Sequence, residues 1–181
     1  PDAALMPNWL HLPVGYHGRA SSVVLSGTDI VRPKGQTKAP DAEKPSFGDC
    51  NRMDFELEMG VLIGSGNILS EPIAIDEAKD HVFGFTLVND WSARDIQTWE
   101  YIPLGPFLAK NFATSISPWI ITMEALEPFK CKSPEQDPKP FDYLNNKKDC
   151  NYDINLEIHL QAKNMSESHI ISRTNYNYLY W

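Results

Sequence analysis

The segment Val82-Phe-Gly-Phe-Thr-Leu-Val88 is an apolar run that ends directly before Asn89-Asp90-Trp91-Ser92. Its β-branched and aromatic residues favour a buried strand, and Gly84 within it is typical of a bulge or a close backbone approach. The polar residues that follow are typical of a helix start, and we expect the helix to continue through Ala93–Gln97. The sequence therefore predicts a strand that places Asp90 at the beginning of a helix.

Short strands separated by glycine, proline and polar clusters dominate the remainder of the sequence. Strands are predicted from apolar alternation and β-branched runs over Ser21–Ser26, Asp54–Ile63 and Trp119–Met123. Asp153–Leu160 alternates apolar and polar residues, which is typical of an antiparallel strand with one solvated face. A short helix is expected over Ile75–Asp80, and long loops are expected over Pro33–Pro45 and Pro128–Pro140. The pattern predicts a mostly β (α+β) domain with short helices and long loops.

Composition excludes several classes of protein. The 181 residues are 42% hydrophobic and 22% charged, which is ordinary for a globular domain and argues against wholesale disorder. The net charge of −8, without a dense basic stripe, disfavours a nucleic-acid binder. No apolar run reaches the roughly 20 residues that span a bilayer. Neither nucleic acid nor a membrane is therefore expected as a partner.

Cysteine usage and the chain ends bear on location and completeness. Cys50, Cys131 and Cys150 are odd in number and widely spaced, so we expect free thiols and an intracellular, cytoplasmic protein. The chain starts at Pro1 without a signal sequence and ends on the aromatic run Tyr178–Trp181. Because termini are usually exposed and polar, we expect this chain to be a piece of a longer protein.

Three carboxylates alternate in the segment Asp54-Phe-Glu-Leu-Glu58. The two-residue period of a strand places Asp54, Glu56 and Glu58 on one face. A hard divalent cation such as Mg²⁺ or Ca²⁺ would cancel the repulsion between neighbouring carboxylates and takes oxygen ligands of this kind. A solvent-exposed polar strand face explains the same spacing, so the spacing alone is compatible with both a metal site and an ordinary polar surface.

The predicted helix after Val88 carries polar groups that could act together. Asp90 either caps the helix or contributes to a functional site at the end of the strand. Arg94 and Gln97, three residues apart, share a helix face and offer donors that could stabilise an oxyanion. An ordinary salt bridge is the alternative for Arg94.

The segment Tyr101-Ile-Pro-Leu-Gly-Pro-Phe-Leu-Ala-Lys110 forms a rigid, apolar approach to one lysine. A desolvated Lys110 is a candidate acid or oxyanion partner, although lysines are more often exposed. Thr114 could support a metal-bound water or end a turn. His17, flanked by Gly15 and Gly18, is a candidate for a pocket lining; the other four histidines show no ligand spacing.

Together these segments resemble the fumarylacetoacetase (fumarylacetoacetate hydrolase) family. The stretches that carry the resemblance are Asn8–Ser22, Asp54–Met59, Asn89–Gln97, Trp99–Lys110, Ser117–Trp119 and Gln136–Pro138. They run in order through essentially the whole chain. Shorter members of the superfamily share the Glu-x-Glu and Asp-Trp-Ser-Ala-Arg-Asp elements, whereas the run Trp99–Lys110 is similar to fumarylacetoacetases in particular.

The resemblance implies a site and a fold. Residues 1–181 would form part of one catalytic domain of the family's C-terminal β-roll or sandwich type, incomplete at both ends. The metal site, for Mg²⁺ or Ca²⁺, would comprise Glu56, Glu58 and Asp90, with Lys110 and Thr114 at or beside the metal. The oxyanion donors would be Arg94, Gln97 and Lys110, and the substrate contacts would be Gln97 and Tyr101.

The resemblance also implies an activity. The family hydrolyses a carbon–carbon bond of a β-diketo acid, converting fumarylacetoacetate and water to fumarate and acetoacetate at the last step of tyrosine and phenylalanine catabolism. The full-length protein would be a homodimer. The family's general-base histidine and its fourth carboxylate ligand precede the first residue of this chain, so we expect the fragment alone to be inactive.

Two alternatives remain open from the sequence. One is a related acylpyruvate hydrolase or oxaloacetate decarboxylase, against which the run Trp99–Lys110 argues. The other is a non-catalytic, Ca²⁺-binding β module that would show metal-dependent stability without carbon–carbon cleavage.

Overall fold

The computed structural model describes residues 5–13, 15, 18–146 and 150–179. His17, the histidine expected to line a pocket, lies outside the described residues. Thirteen mostly short strands dominate them: β1 Val23–Leu25, β2 Lys34–Thr37, β3 Ser46–Asp49, β4 Met53–Asp54, β5 Leu57–Ile63, β6 Val82–Asp90, β7 Ser92–Ala93, β8 Thr114–Ile116, β9 Ile121–Thr122, β10 Lys130–Cys131, β11 Asn151–Tyr152, β12 Asn155–Leu160 and β13 His169–Asn175.

The helices are few and short. The α-helices are α1 Arg94–Glu100, α2 Leu108–Asn111 and α3 Met123–Leu126. Single 3₁₀ turns cover Ala20–Ser22, Ala78–His81, Glu127–Phe129 and Tyr176–Tyr178. This mostly β architecture with short helices confirms the fold class predicted from the sequence. No helix in the described part of the chain is long and apolar enough to cross a bilayer.

The chain divides into two compact units. One comprises Pro1–Val14, Ile63–Gly84 and Ile121–Trp181, and the other comprises Gly15–Leu62 and Phe85–Ile120. In the first unit, β12 pairs antiparallel with β13 through a bulge at Ile158/His159, and β10 pairs antiparallel with β11.

The second unit holds the strands that matter for function. It contains β1, β8 and most of β5 and β6, which follow one another in the sheet order β1-β8-β6-β5, with β1 parallel and β6 antiparallel to β8. Thr114, the first residue of β8, lies opposite Val23 on one side and Asp90 on the other. Two two-stranded ladders, β2-β3 and β4-β7, complete the unit.

A small core anchors helix α1 of this unit. Cys50, Ala93, Ile96 and Ala109 form a buried cluster, and Met53 and Phe112 pack against it. Gly35 of β2 lies very close to Ile96. A Cβ atom added to Gly35 would be only 2.8 Å from the Cδ1 atom of Ile96. The helix therefore packs directly on the β2-β3 hairpin, and the missing side chain of Gly35 permits the approach.

The helix expected from Asn89 begins later, at Arg94. Asp90 is the last residue of β6, and Ser92 and Ala93 pair with Asp54 and Met53 in the β4-β7 ladder. Sheet hydrogen bonds thus occupy the backbone that a helix would need. The N-cap position belongs to Ala93, which makes no capping side-chain bond, so Asp90 is not a helix cap.

Other boundaries also differ from the sequence predictions. The expected loop Pro33–Pro45 contains β2, whose partner β3 was not foreseen. The strand expected over Trp119–Met123 is reduced to β9, because α3 begins at Met123 with the Thr122 hydroxyl accepting a bond from Ala125 N. The helix expected over Ile75–Asp80 is a 3₁₀ turn at Ala78–His81. The strand over Val82–Val88 is confirmed and extends to Asp90.

Candidate metal centre and active site

Three carboxylates converge where β5 and β6 lie side by side. Glu56, Glu58 and Asp90 each offer an oxygen, and these oxygens lie within 4.8 Å of one another. The backbone fixes their positions, because Asp90 N donates to Glu56 O at 3.1 Å. Asn89 adds a second tie, since its Oδ1 accepts from Glu56 N at 3.2 Å. The predicted Glu-x-Glu pair and Asp90 are therefore brought together.

Lys110 lies against this cluster, with only 8% of its surface exposed. Its Nζ is 2.7 Å from Glu56 Oε2 and 2.8 Å from Asp90 Oδ2. It also donates to Ser92 Oγ at 2.8 Å, and Ser92 in turn donates to Glu56 Oε1. These three contacts account for the three N–H groups of an ammonium, so the side chain holds the carboxylates in place.

Arg94 extends the network from the first turn of α1. Its Nε is 2.8 Å from Asp54 Oδ2, and its Nη2 is 2.8 Å from Glu56 Oε1. Its Nη1 donates to Gln97 Oε1 at 3.2 Å. The salt bridge foreseen as an alternative for Arg94 is therefore present, and it joins two of the three alternating carboxylates.

The electrostatics of the cluster are uneven. Burial favours the protonated form of Glu56, but hydrogen bonding and the charge of Lys110, with help from Ser92 and Arg94, bring its pKa below the usual range. Burial raises the pKa of Glu58, and the charges of Asp90 and Glu56 raise it further. The hydrogen bond from Arg94 lowers the pKa of Asp54. Glu58 is thus the carboxylate of the cluster whose negative charge is least balanced by neighbouring cations and hydrogen-bond donors.

A cavity of about 330 Å³ opens on the cluster. It is lined by Gly18, Arg19, Ala20, Val23, Glu58, Asp90, Lys110 and Thr114. Thr114 reaches this wall because β8 sets it opposite both Asp90 and Val23. Four of the five residues expected at or beside a metal line one cavity, and Glu56, the fifth, is hydrogen-bonded to Lys110, Asp90 and Glu58 among them.

The remaining predicted residues lie on α1 and at its end. Gln97 and Tyr101 are four residues apart and so share a helix face. The Oε1 atom of Gln97 accepts a hydrogen bond from Arg94. The Nε2 group of Gln97 makes no hydrogen bond to any described residue, so it is available to donate. Tyr101 is 46% exposed and follows the last residue of the helix.

Sequence reasoning missed two residues that organise the site. Ser92 is fully buried and bridges Lys110 and Glu56. Its place in the predicted helix start gave no sign of this role. Glu100 accepts from Phe107 N at 2.8 Å and from Ala109 N at 2.7 Å, and so folds the proline-rich segment back toward α1. An isolated acid at a helix end gives no sequence signal of such a role.

Comparison with known proteins gives the family. The family model described as fumarylacetoacetate (FAA) hydrolase C-terminal matches residues 3–180. The chain belongs to this family. It is 58% identical over 180 residues to the fumarylacetoacetase of Bos taurus, 56% to that of Homo sapiens, and 55% over 181 residues to that of Arabidopsis thaliana. Each alignment covers at least 99% of this chain but only 43% of the relative.

The donor set of this family member suits a divalent cation. Four carboxylates, Asp54 and the three cluster members, surround two cations, Arg94 and Lys110, which leaves a formal charge of −2. The cluster offers only hard oxygen donors, the type that Mg²⁺ and Ca²⁺ take. One divalent cation would neutralise the site and relieve the repulsion that acts on Glu58.

Proposed function

We propose that the protein to which this chain belongs is a fumarylacetoacetase, which hydrolyses a carbon–carbon bond of fumarylacetoacetate to give fumarate and acetoacetate. The observation that carries the proposal is the three-carboxylate cluster held by the buried Lys110, in a chain more than half identical to proteins named fumarylacetoacetase. The chain spans about 43% of their length, so the activity is assigned to the whole protein.

Glu56, Glu58 and Asp90 would hold the metal, Mg²⁺ or Ca²⁺, and Thr114 would lie beside it. When bound, such an ion supplies a Lewis acid and a template that orients the two oxygens of a β-diketone. Lys110 would keep Glu56 and Asp90 in place. Its three N–H groups are engaged by these carboxylates and Ser92, which supports a positioning role rather than ligation by Lys110.

Two side chains of α1 would face the substrate. The Nη1 group of Arg94 fixes the Gln97 amide with its nitrogen free to donate, which supports a role for that nitrogen at a developing oxyanion. Arg94 itself is held by Asp54 and Glu56, so it contributes positive charge from a fixed position. The exposed Tyr101 would contact the substrate from the next turn.

The cellular setting belongs to the same proposal. The whole protein would act in the cytoplasm, in tyrosine and phenylalanine catabolism, as a homodimer. A small β-diketo acid would be its partner rather than nucleic acid or a membrane. The net charge of −8 supports the exclusion of nucleic acid, because a phosphate backbone would be repelled.

The experiment uses the full-length protein. Its intact mass is first determined, and the absorbance loss of fumarylacetoacetate is then followed with and without EDTA. We expect turnover that EDTA abolishes and that added Mg²⁺ or Ca²⁺ restores. A full-length protein that binds Ca²⁺ and is stabilised by it, yet leaves the substrate intact, would contradict the proposal and favour the non-catalytic β module.

A further inference from the structure

We propose that Arg19 binds the terminal carboxylate of the unsaturated, fumaryl arm of the substrate, in a second cavity beside the carboxylate cluster. The proposal rests on the proposed function. Arg19 is not among the site residues predicted from the sequence.

The second cavity has a volume of about 430 Å³. It is lined by Gly15, Gly18, Arg19, Leu104, Pro106, Phe107 and Asn111. Gly18 and Arg19 also line the cavity that opens on Glu58 and Asp90. The two cavities are therefore neighbours, and Arg19 belongs to the wall of both.

The backbone of Arg19 is tied to the metal-site region. Its carbonyl accepts from Ser22 N at 3.2 Å and from Ser22 Oγ at 3.1 Å. The same hydroxyl is 2.8 Å from the carbonyl oxygen of Asn111, the residue after Lys110. The position of Arg19 relative to the site therefore depends on direct hydrogen bonds rather than on a free loop.

Arg19 is the cation of these two cavities that has no acidic partner. Among the described lining residues the cations are Arg19 and Lys110, and Lys110 is engaged by Glu56 and Asp90. Arg19 makes no ion pair with any residue in the described part of the chain. An exposed guanidinium without a partner is available to a ligand, and its planar fork matches a carboxylate.

The chemistry of the substrate requires such a group. Fumarylacetoacetate carries a carboxylate at each end, whereas the site is rich in carboxylates of its own. A bound divalent cation would bring the cluster only to neutrality, so it would leave no surplus positive charge for the ends of the substrate. Among the described residues that line the two cavities, Arg19 is the cation available to supply that charge.

The walls of the second cavity distinguish the two ends of the substrate. Leu104, Pro106 and Phe107 provide apolar surface, and Leu104 and Phe107 are exposed in the chain as described. The fumaryl arm is a planar, unsaturated carbon chain between its carbonyl and its carboxylate, while the other arm has a single methylene. A cavity that combines apolar walls with one guanidinium suits the longer arm.

The test compares Arg19→Gln and Arg19→Lys in the full-length enzyme, with Lys44→Gln as the control. Lys44 is exposed and lines neither cavity, so its change removes the same charge elsewhere. For Arg19→Gln we expect KM to rise about 10- to 100-fold, the effect of losing a charge-assisted hydrogen bond, with kcat changed far less. Arg19→Lys should recover part of the loss, and Lys44→Gln should match the wild type.

Product inhibition identifies which arm of the substrate Arg19 binds. The inhibition constant of fumarate should rise in Arg19→Gln by a factor similar to that of KM, while that of acetoacetate stays the same. Cation affinity, measured by calorimetry with Ca²⁺, should be unchanged, which separates substrate binding from damage to the metal site. An unchanged KM, or an effect on acetoacetate equal to or larger than that on fumarate, overturns the proposal. A wild-type enzyme without turnover would instead refute the proposed function.

Discussion

The ammonium group of Lys110 lies 2.7 Å from Glu56 Oε2 in a position where only 8% of the lysine surface reaches solvent. Burying a lysine is unfavourable unless its charge is compensated and its N–H groups are bonded. Glu56, Asp90 and Ser92 meet both conditions. The buried ammonium group of Lys110 and the carboxylates of Glu56 and Asp90 therefore stabilise one another. Replacing either partner should change stability, activity or cation affinity.

Replacing Lys110 with Met should destabilise the metal-free protein and reduce turnover. The change leaves Glu56 and Asp90 without their main counter-charge, and breaking a buried pair of this kind costs about 3 kcal/mol. Urea unfolding of the full-length protein should show this loss, and added Ca²⁺ should recover much of it. We expect kcat to fall about 100-fold or more. Lys44→Met, at an exposed site, should behave as the wild type; equal stability of Lys110→Met and the wild type would show that the pair contributes nothing.

Replacing Asp90 with Asn should weaken cation binding by about 100-fold or more, since changes in groups around the ligands alone cost 10- to 100-fold. Calorimetric titration with Mg²⁺ and Ca²⁺ measures the affinity, and activity should fall with it. Asp41→Asn removes a carboxylate from an exposed position and serves as the control. Wild-type affinity in Asp90→Asn would remove Asp90 from the ligand set.

Replacing Gly35 with Ala should destabilise the protein by about 1–3 kcal/mol, the usual cost of overpacking. The new Cβ would lie 2.8 Å from Ile96 Cδ1 and 3.0 Å from Ile96 Cγ2, in the core beneath α1. Gly48, directly across the ladder from Gly35, provides the control, because a Cβ there meets nothing within 4 Å. Urea unfolding should place Gly48→Ala at or slightly above wild-type stability. Equal effects of the two changes would contradict close packing of β2 on α1.

Asp95 should make stability depend on acid pH. Burial acts to raise its pKa, but the Cys50 thiol and the backbone N–H groups of Asn51 and Ile96 outweigh burial and lower it. A lowered pKa in the folded state contributes stability above the ordinary value of about 3.9, and this contribution is lost as pH falls through the folded value. Asp95→Asn should therefore lower Tm at pH 7, and its difference from the wild type should shrink toward pH 2.

Calorimetric scans between pH 7 and pH 2 check this expectation, with Asp41→Asn following the wild type throughout. A Tm difference between Asp95→Asn and the wild type that stays constant over the whole range would show that titration of Asp95 is not coupled to folding.

Local pattern pointed to the acidic residues that the structure brings together. The strand over Val82–Val88 and the Glu-x-Glu spacing depend on neighbours in sequence, and Glu58 and Asp90 do lie on strands β5 and β6. The single strand expected over Asp54–Ile63 is instead divided into β4 and β5, and Glu56 lies between them. The mostly β fold class followed from the same local signals. Apolar runs and two-residue alternation report burial directly, so such features are readable without a structure.

Long-range pairing explains what the sequence did not reveal. The helix start was misplaced because Ser92 and Ala93 are held by Asp54 and Met53, about forty residues earlier, which no local propensity records. Lys110 is 54 residues from Glu56, so its burial could not be read from its own neighbours. Strand β2 has the sequence Lys-Gly-Gln-Thr, which contains no apolar side chain to mark it within the loop expected over Pro33–Pro45.

The parallel pairing of β1 with β8 has a consequence for how the protein acquires its shape. Val23 meets Thr114 only after the intervening ninety or so residues have been synthesised, and contacts of such sequence separation form slowly because a long loop must close first. Glu56, Glu58 and Asp90 are all synthesised before Thr114. In the folded protein Lys110 and β8, which carries Thr114, come after all three carboxylates in the chain, so the ion pairs of Lys110 with Glu56 and Asp90 can form only once Lys110 has been synthesised. A divalent cation captured at that stage would act as a folding partner as well as a cofactor.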